Sequence, residues 1–322
     1  MGGDFAPEAP VRGALLAREK YGADIILTGR TADILRELEK AGCKEVPQGI
    51  EIANAEEVVE ICDDPATAFK QKKDSSLTVG LNLLRDGQAD GFISAGSTGA
   101  LLAGATLVVK RIRGLRRAAL APTIPTMTGK AVLIDCGANV DARPSHLVQF
   151  AKMGSIYMEH VVGIKNPRVA IVNIGAEEEK GNALVKETFP LLKECKDINF
   201  IGSIEAREIP HGGADVIVSE AFVGNVILKL YEGVGATLIS MVKQGMMTSL
   251  RSKIGALLVK PALKTTLKAF DASQYGGAPL LGLKGLVVKT HGNSKRIEVC
   301  NSILQCVTFK EQAINEKIKE SL

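Results

Sequence analysis

The feature that most limits what this chain can become is its rhythm. Short apolar runs alternate with amphipathic stretches along nearly all of its 322 residues. Residues 24–28, 91–95, 131–135, 168–174, 198–202, 214–219 and 286–290 read as strands. The segments between them read as helices, such as 31–41, where Ile34, Leu35 and Leu38 share a face and Gly42 offers a left-handed cap. Ser145, after Pro144, opens another through Leu147, Phe150, Ala151 and Met153. Alternation of this kind predicts an α/β fold with a mostly parallel sheet covered by helices on both faces, a three-layer α/β/α arrangement. Without Trp, and with aromatic residues at 4%, the core is expected to be aliphatic.

Several classes of protein are disfavoured at once. No apolar run approaches the roughly 20 residues that span a bilayer, and no secretory signal precedes the first motif, so a cytoplasmic protein is expected. The six Cys (Cys43, Cys62, Cys136, Cys195, Cys300, Cys306) lie far apart and read as free buried thiols. His146, His160, His211 and His291 show no metal-ligand spacing, so no metal is expected. A net charge of +4 is too small to suggest nucleic-acid binding.

Charge distribution says more than the total. Lys110, Arg111, Arg113, Arg116 and Arg117 cluster behind the helical pattern 100–110. From Glu232 to Asp271 no acid intervenes, while Lys243, Arg251, Lys253, Lys260, Lys264 and Lys268 do. The segment 225–270 is helical in pattern for longer than a crossover requires, with interruptions expected at Gly245, Gly255 and Pro261. It reads as an appendage that projects from the body of a single catalytic unit spanning 1–322. Its stem, 225–240, is expected to pair across a dimer. Its tip, 246–259, carries Leu250, Ile254 and Leu258 among cations, as helices that lie on anionic bilayers do.

Open α/β sheets bind ligands beyond the carboxyl ends of their strands. Three strand ends here run into small or polar turns. These are Gly96-Ser97-Thr98-Gly99, Cys136-Gly137-Ala138-Asn139-Val140-Asp141, and Glu220-Ala221-Phe222-Val223-Gly224-Asn225. Such turns bring backbone N–H groups and helix N-termini to an anion, although Ser, Thr and Asn are also ordinary N-caps. A fourth loop, 175–182, places Lys180 between three Glu and Gly181-Asn182, where an ammonium could reach a bound phosphate. No G-x-G-x-x-G dinucleotide turn, no G-x-x-x-x-G-K-[ST] loop and no G-x-S-x-G elbow is present.

Taken together the motifs are recognisable. Met1-Gly2-Gly3-Asp4, Ser94-Ala95-Gly96-Ser97-Thr98-Gly99-Ala100-Leu101, Asp135 through Asp141, His146 through Ala151, Asn173 through Asn182, Phe222-Val223-Gly224-Asn225-Val226 and Tyr275-Gly276-Gly277-Ala278 occur in one order over the whole chain. In order and spacing they resemble the bacterial phosphate acyltransferase family, the PlsX proteins of phospholipid synthesis.

The resemblance implies transfer of a fatty acyl group from acyl carrier protein to inorganic phosphate, without a cofactor, giving an acyl phosphate. It implies a homodimer whose α/β/α fold is related to the isopropylmalate dehydrogenases and phosphotransacetylases. It also implies work at the inner face of the cell membrane, supplying a membrane glycerol-3-phosphate acyltransferase. Lys180 and Asn225 match the family's catalytic positions. Asp4, Gly96, Ser97, Thr98, Gly99, Asn139, Asn182 and Gly224 are the expected phosphate and substrate contacts. Family members carry a short apolar strand ahead of the Met-Gly-Gly-Asp turn, and a chain starting at that Met is expected to lose anchoring for Asp4 and some stability.

The chemistry agrees with this reading. Phosphate can attack a thioester without a dedicated strong base, and a thiol of pKa about 8.5 leaves with little acid help. The catalyst must align two partners and stabilise an oxyanion, which needs a cation and neutral donors but no triad. The alternatives are a dehydrogenase, for which Asp135 and Asp141 are too few metal ligands, or a phosphotransacetylase-type enzyme on the same fold.

Overall fold

A computed structural model describes the backbone of residues 1–60, 62–65, 67–269 and 272–322, and the side chains of that set outside 264–273. The helices are α1 (Glu8–Tyr21), α2 (Thr31–Lys40), α3 (Ala68–Gln71), α4 (Ser76–Arg85), α5 (Thr98–Val108), α6 (Pro144–Tyr157), α7 (Ala183–Glu194), α8 (Ala221–Met246), α9 (Leu250–Ala269), α10 (Arg296–Glu311) and α11 (Ile314–Glu320). The strands are β1 (Ile25–Gly29), β2 (Ile50–Asn54), β3 (Gly91–Ser94), β4 (Ala119–Leu120), β5 (Thr123–Thr126), β6 (Gly129–Ile134), β7 (Arg168–Asn173), β8 (Asn199–Glu205), β9 (Val216–Val218), β10 (Ala278–Leu281) and β11 (Leu286–Lys289).

Each strand expected from the sequence forms, with its ends shifted by a few residues. The strands gather into three sheets, β1-β2, β3-β11-β10-β4 and β5-β6-β9-β7-β8. The α/β class and the parallel bias hold, with antiparallel pairing confined to β10 and β5. The strands the alternation did not reveal are β2, β4, β5 and β10. Of these β4 is only two residues long, while β5 contains Pro125 and sits at a sheet edge, where a missing N–H costs no ladder bond.

The main core is aliphatic as expected. Val132, Ile134, Ile171, Val216 and Val218 from the five-stranded sheet pack on Leu147, Phe150 and Met153 of α6. The thiols are free, but Cys136 and Cys300 alone are fully buried, and Cys62 is exposed, contrary to the expectation for all six.

The facing edges of β1 and β3 do not pair with each other. A cavity of about 830 Å³ separates them, lined by Ile25–Thr28 on one side and Gly91–Ser94 on the other, and flanked by α1, α4 and α10. Met1 lies at its end, its ammonium donating to Ser76 Oγ at 3.2 Å and held below the usual amine range by burial.

The appendage differs in detail from its reading. It is a pair of helices broken at 247–249, while Gly255 and Pro261 lie inside α9. The break is chemical. The Thr248 hydroxyl donates to Gly245 O (2.8 Å), and Ser249 Oγ accepts from Ser252 N (3.1 Å), starting α9 as an N-cap. At 26 residues, α8 is also long and apolar enough, by length and composition, to cross a membrane. The sequence had suggested no such element, because Lys229, Glu232 and Lys243 interrupt every run within it.

One test follows from the gap beside β1. An apolar strand of about six residues fused ahead of Met1 is expected to pair with β1 and β3. It should raise the thermal midpoint by a few degrees, since each kcal/mol shifts a chain this long by somewhat less than the roughly 2–4 °C of chains of 150–250 residues. An unchanged midpoint in calorimetry would show that the gap does not take a strand.

Candidate active site

Three sets of strand ends, drawn from two sheets, carry the residues expected at the site. β3 and β11 run in parallel with Ser94 opposite Lys289, and Thr290 N donates to Ser94 O at 3.0 Å. The turn from β3 enters α5 with Ser97 as its N-cap, its hydroxyl accepting from Ala100 N. The Met1–Asp4 turn closes over both, with Asp4 N donating to Gly292 O (2.8 Å). Its two glycines are required for different reasons: a Cβ on Gly3 would stand 2.8 Å from Ala95 Cβ, while Gly2 holds a left-handed φ of +83°.

The ends of β6 and β9 form a second set. Asp135 is fully buried, and its carboxylate accepts from Leu120 N (3.0 Å), Ala138 N (3.1 Å) and Asn139 Nδ2 (2.7 Å). Burial pushes its pKa up, against the pull of these donors. Asn139 Nδ2 also donates to Ala118 O (2.7 Å), and Asn139 O accepts from Ala221 N (3.0 Å). Asn139 therefore braces the turn, and both of its amide hydrogens are spent. Gly224 lies directly on this turn, where a Cβ would come within 2.0 Å of Asp135 O. Asn225 follows it in the first turn of α8.

The third set holds Lys180, beyond the end of β7. Asn173 ties the loop down, donating to Lys180 O (3.2 Å) and Ser203 Oγ (3.1 Å). The Lys180 ammonium pairs with Glu177 at 2.9 Å, which holds it above the usual lysine range, and the side chain is half exposed. Asn182 is the N-cap of α7, accepting from Val185 N at 2.9 Å.

One large cavity, of about 1590 Å³, opens between α8, α9 and the ends of β10 and β11. Its polar end is lined by Thr98, Asn225, Lys289, Thr290 and His291, and its far side by Leu238, Val242, Met246 and Leu257. Among the expected site residues, Thr98 and Asn225 are thus brought together. Asp4, Gly96, Ser97 and Gly99 build the turns beside them. Asn139 and Gly224 shape the neighbouring turn. Lys180 and Asn182 sit beyond β7, the strand next to β9, and do not line the cavity.

The turn after β11 lies outside the strand-end turns expected at the site, yet it lines the cavity. Burial pushes the Lys289 ammonium down to about 8, and Lys229 adds to this, while Glu298 and Asp4 pull it up. Its signal was present as a single Lys closing an apolar strand, followed by Thr290-His291-Gly292-Asn293, a turn of the same small and polar type as the others.

The fold identifies a class. It matches a phosphotransacetylase from Streptococcus pyogenes with a TM-score of 0.63 at 19% identity, over 95% of this chain and 92% of that one. The EutD phosphotransacetylase from Staphylococcus aureus matches with 0.59 at 18%, over the same shares. At that identity the likeness concerns the fold alone. Residues 1–317 match the family model described as fatty acid synthesis protein, and the chain belongs to that family. It is 49% identical to a phosphate acyltransferase of Clostridium botulinum (strain Loch Maree / Type A3), over all of this chain and 96% of that one. It is 48% identical to a phosphate acyltransferase of Clostridium acetobutylicum, over all of this chain and 97% of that one. The resemblance read from the motifs is borne out.

The contact of Gly224 with Asp135 O gives a stability test. Gly224→Ala forces the backbone of β6 and α8 apart, and is expected to cost about 2 kcal/mol, as overpacking does. Urea unfolding would show this as a lower midpoint at unchanged slope.

Proposed function

We propose that this protein transfers a fatty acyl group from acyl carrier protein to inorganic phosphate, releasing the carrier thiol and an acyl phosphate destined for phosphatidic acid. The observation that carries the reading is the single cavity in which a polar end, suited to an oxyanion, runs into an apolar trough between α8 and α9. At about 1590 Å³ it exceeds the roughly 300–1,000 Å³ of small-ligand sites, and it accommodates a long chain better than an acetyl group. The trough and the family membership set the dehydrogenase and phosphotransacetylase alternatives aside.

In the reaction a phosphate oxygen attacks the thioester carbonyl, the tetrahedral oxyanion collapses, the C–S bond breaks, and the thiolate leaves to take a proton from water. Asn225 supplies a neutral donor at the polar end of the cavity. Lys180 supplies charge from the adjoining strand end. Its pair with Glu177 is open to solvent and screened by it, so little holds the ammonium back from an incoming acyl carrier. Incubation with acyl carrier protein and phosphate, with acyl phosphate trapped by hydroxylamine, is the direct assay. Asn225→Ala and Lys180→Ala are each expected to lower turnover by roughly 10²–10³-fold, the scale of a lost oxyanion donor. Near-normal turnover in both folded variants would remove the assignment.

The remaining features fit the same task. Lys110, Arg111, Arg113, Arg116 and Arg117 are exposed and enter no ion pair among the described residues. Arg116, Arg117 and Arg111, with Arg143, add to burial in holding His146 below its usual range. This patch lies past the far end of α5, whose 11 residues span about 16 Å from the cavity. Such a patch steers an acidic carrier protein. Reversing Arg113 and Arg116 to Glu is expected to raise KM for the carrier substrate and flatten its salt dependence, while a small acyl thioester is unaffected. Equal losses for both substrates would exclude docking there.

The apolar residues on the α8 stem suit a homodimer contact, and exposed Leu250, Ile254 and Leu258 on α9 suit the anionic inner face of the cell membrane. From there the product would pass to a membrane glycerol-3-phosphate acyltransferase. Lys264 and Lys268, part of the expected basic face, lie outside the described side chains. Changing Leu250, Ile254 and Leu258 to Glu is expected to abolish sedimentation with anionic vesicles and to leave soluble turnover intact.

A further inference from the structure

The polar end of the large cavity holds a cation to which the motif resemblance assigns no role. Lys289 closes β11, lines the cavity beside Thr98 and Asn225, and is partly buried. Its ammonium donates to Thr290 O. Among the described residues it enters no ion pair. The other charges around it are largely committed elsewhere. Lys229 on α8 pairs with Glu232 at 3.1 Å, and Glu232 also faces His291 Nε2 at 4.0 Å. Glu298 on α10 accepts from His291 N at 3.4 Å. Asp4 lies against Gly292.

Next to Lys289, Thr290 is 1% exposed and its buried hydroxyl has no hydrogen-bond partner among the described residues, although Thr290 lines this cavity as well as the smaller one beside β1. A desolvated cation without a counter-ion and a buried hydroxyl without a partner are each costly. Side by side at the wall of one cavity, both are relieved by one ligand, a small oxyanion that accepts hydrogen bonds.

We propose that Lys289 and Thr290 form the grip for the inorganic phosphate, holding it at the polar end of the cavity opposite Asn225. The proposal rests on the acyl-transfer reading for the identity of the anion, and it gives Lys289 a part distinct from that of Lys180. Lys289 fixes the nucleophile inside the cavity, whereas Lys180 lies outside it, beyond β7 of the other large sheet. The ammonium, brought down to about 8 by burial and Lys229 against Glu298 and Asp4, is charged below that pH and neutral above it. Phosphate is already dianionic there, so its affinity falls as pH rises through about 8 because the protein loses the proton.

The probe is inorganic phosphate alone, titrated calorimetrically into the full chain without acyl substrate. Lys289→Met is expected to weaken phosphate about 100-fold and to remove the loss of affinity near pH 8, while Lys289→Arg restores most of the binding. Thr290→Val is expected to weaken it about 10-fold. In turnover, Lys289→Met should raise KM for phosphate and leave KM for the acyl carrier unchanged. Lys289→Gln, which keeps a polar head, takes the place of the Met variant if that protein does not fold. Wild-type phosphate affinity in a folded Lys289→Met or Lys289→Gln protein overturns the grip, whether or not the wild type makes acyl phosphate. A wild type that binds phosphate through Lys289 yet forms no acyl phosphate removes the acyl-transfer reading and leaves the grip standing.

Discussion

The site depends on one buried carboxylate. Asp135 stands at the end of β6 in the five-stranded sheet, yet it accepts from the backbone of Leu120, which belongs to β4 in the other large sheet. Cys136 N returns the bond to Leu120 O at 3.0 Å. An unpaired buried carboxylate would cost several kcal/mol, and three donors are assembled to prevent that. The result is a seam at which the end of β6 meets β4 of the other large sheet. Thr98 and Lys289 come from one side of the seam and Asn225 from the other. No single sheet could have placed them around one cavity.

The seam also explains why the glycine-rich turns are glycine-rich. Backbones approach so closely there that Gly3 faces Ala95 and Gly224 faces Asp135 O with no room for a side chain. Sequence reading takes such turns as anion loops, and in part they are packing joints. The same applies to the polar residues beside them. Asn139 spends both amide hydrogens on Asp135 and Ala118, whereas Asn182 and Ser97 accept as the caps of α7 and α5 and keep their own donor hydrogens.

What was legible follows from what a sequence period can encode. Strands buried on both faces, such as β6 and β7, declare themselves as apolar runs, and the α/β class and strand-end site follow from their alternation. Short antiparallel strands such as β4 and β5 carry too few residues for a pattern. Of the three interruptions expected in the long helical segment, Gly245 lies beside the break, whereas Gly255 and Pro261 are absorbed into α9. The break itself is made by the hydroxyls of Thr248 and Ser249, which compete for backbone groups. Lys289 escaped notice because its meaning lies in what surrounds it. A lysine at a strand end is ordinary until the fold removes its water and withholds a carboxylate.

The helix pair completes the logic from the opposite direction. Leu238, Val242 and Leu257 wall the trough and are still about half exposed or more, so these helices stand in solvent with apolar surface unburied. A chain laid along them contributes about 0.8 kcal/mol per buried CH₂, and that energy falls on the helices as much as on the ligand. Whatever binds the ordered pair and not a frayed one stabilises it by mass action. If the acyl chain occupies the trough as proposed, its binding and the ordering of α8 with α9 form one equilibrium. Asn225 is the point where it reaches the chemistry, since the first turn of α8 is fixed against Asp135 through Gly224 while the rest of the helix extends along the trough.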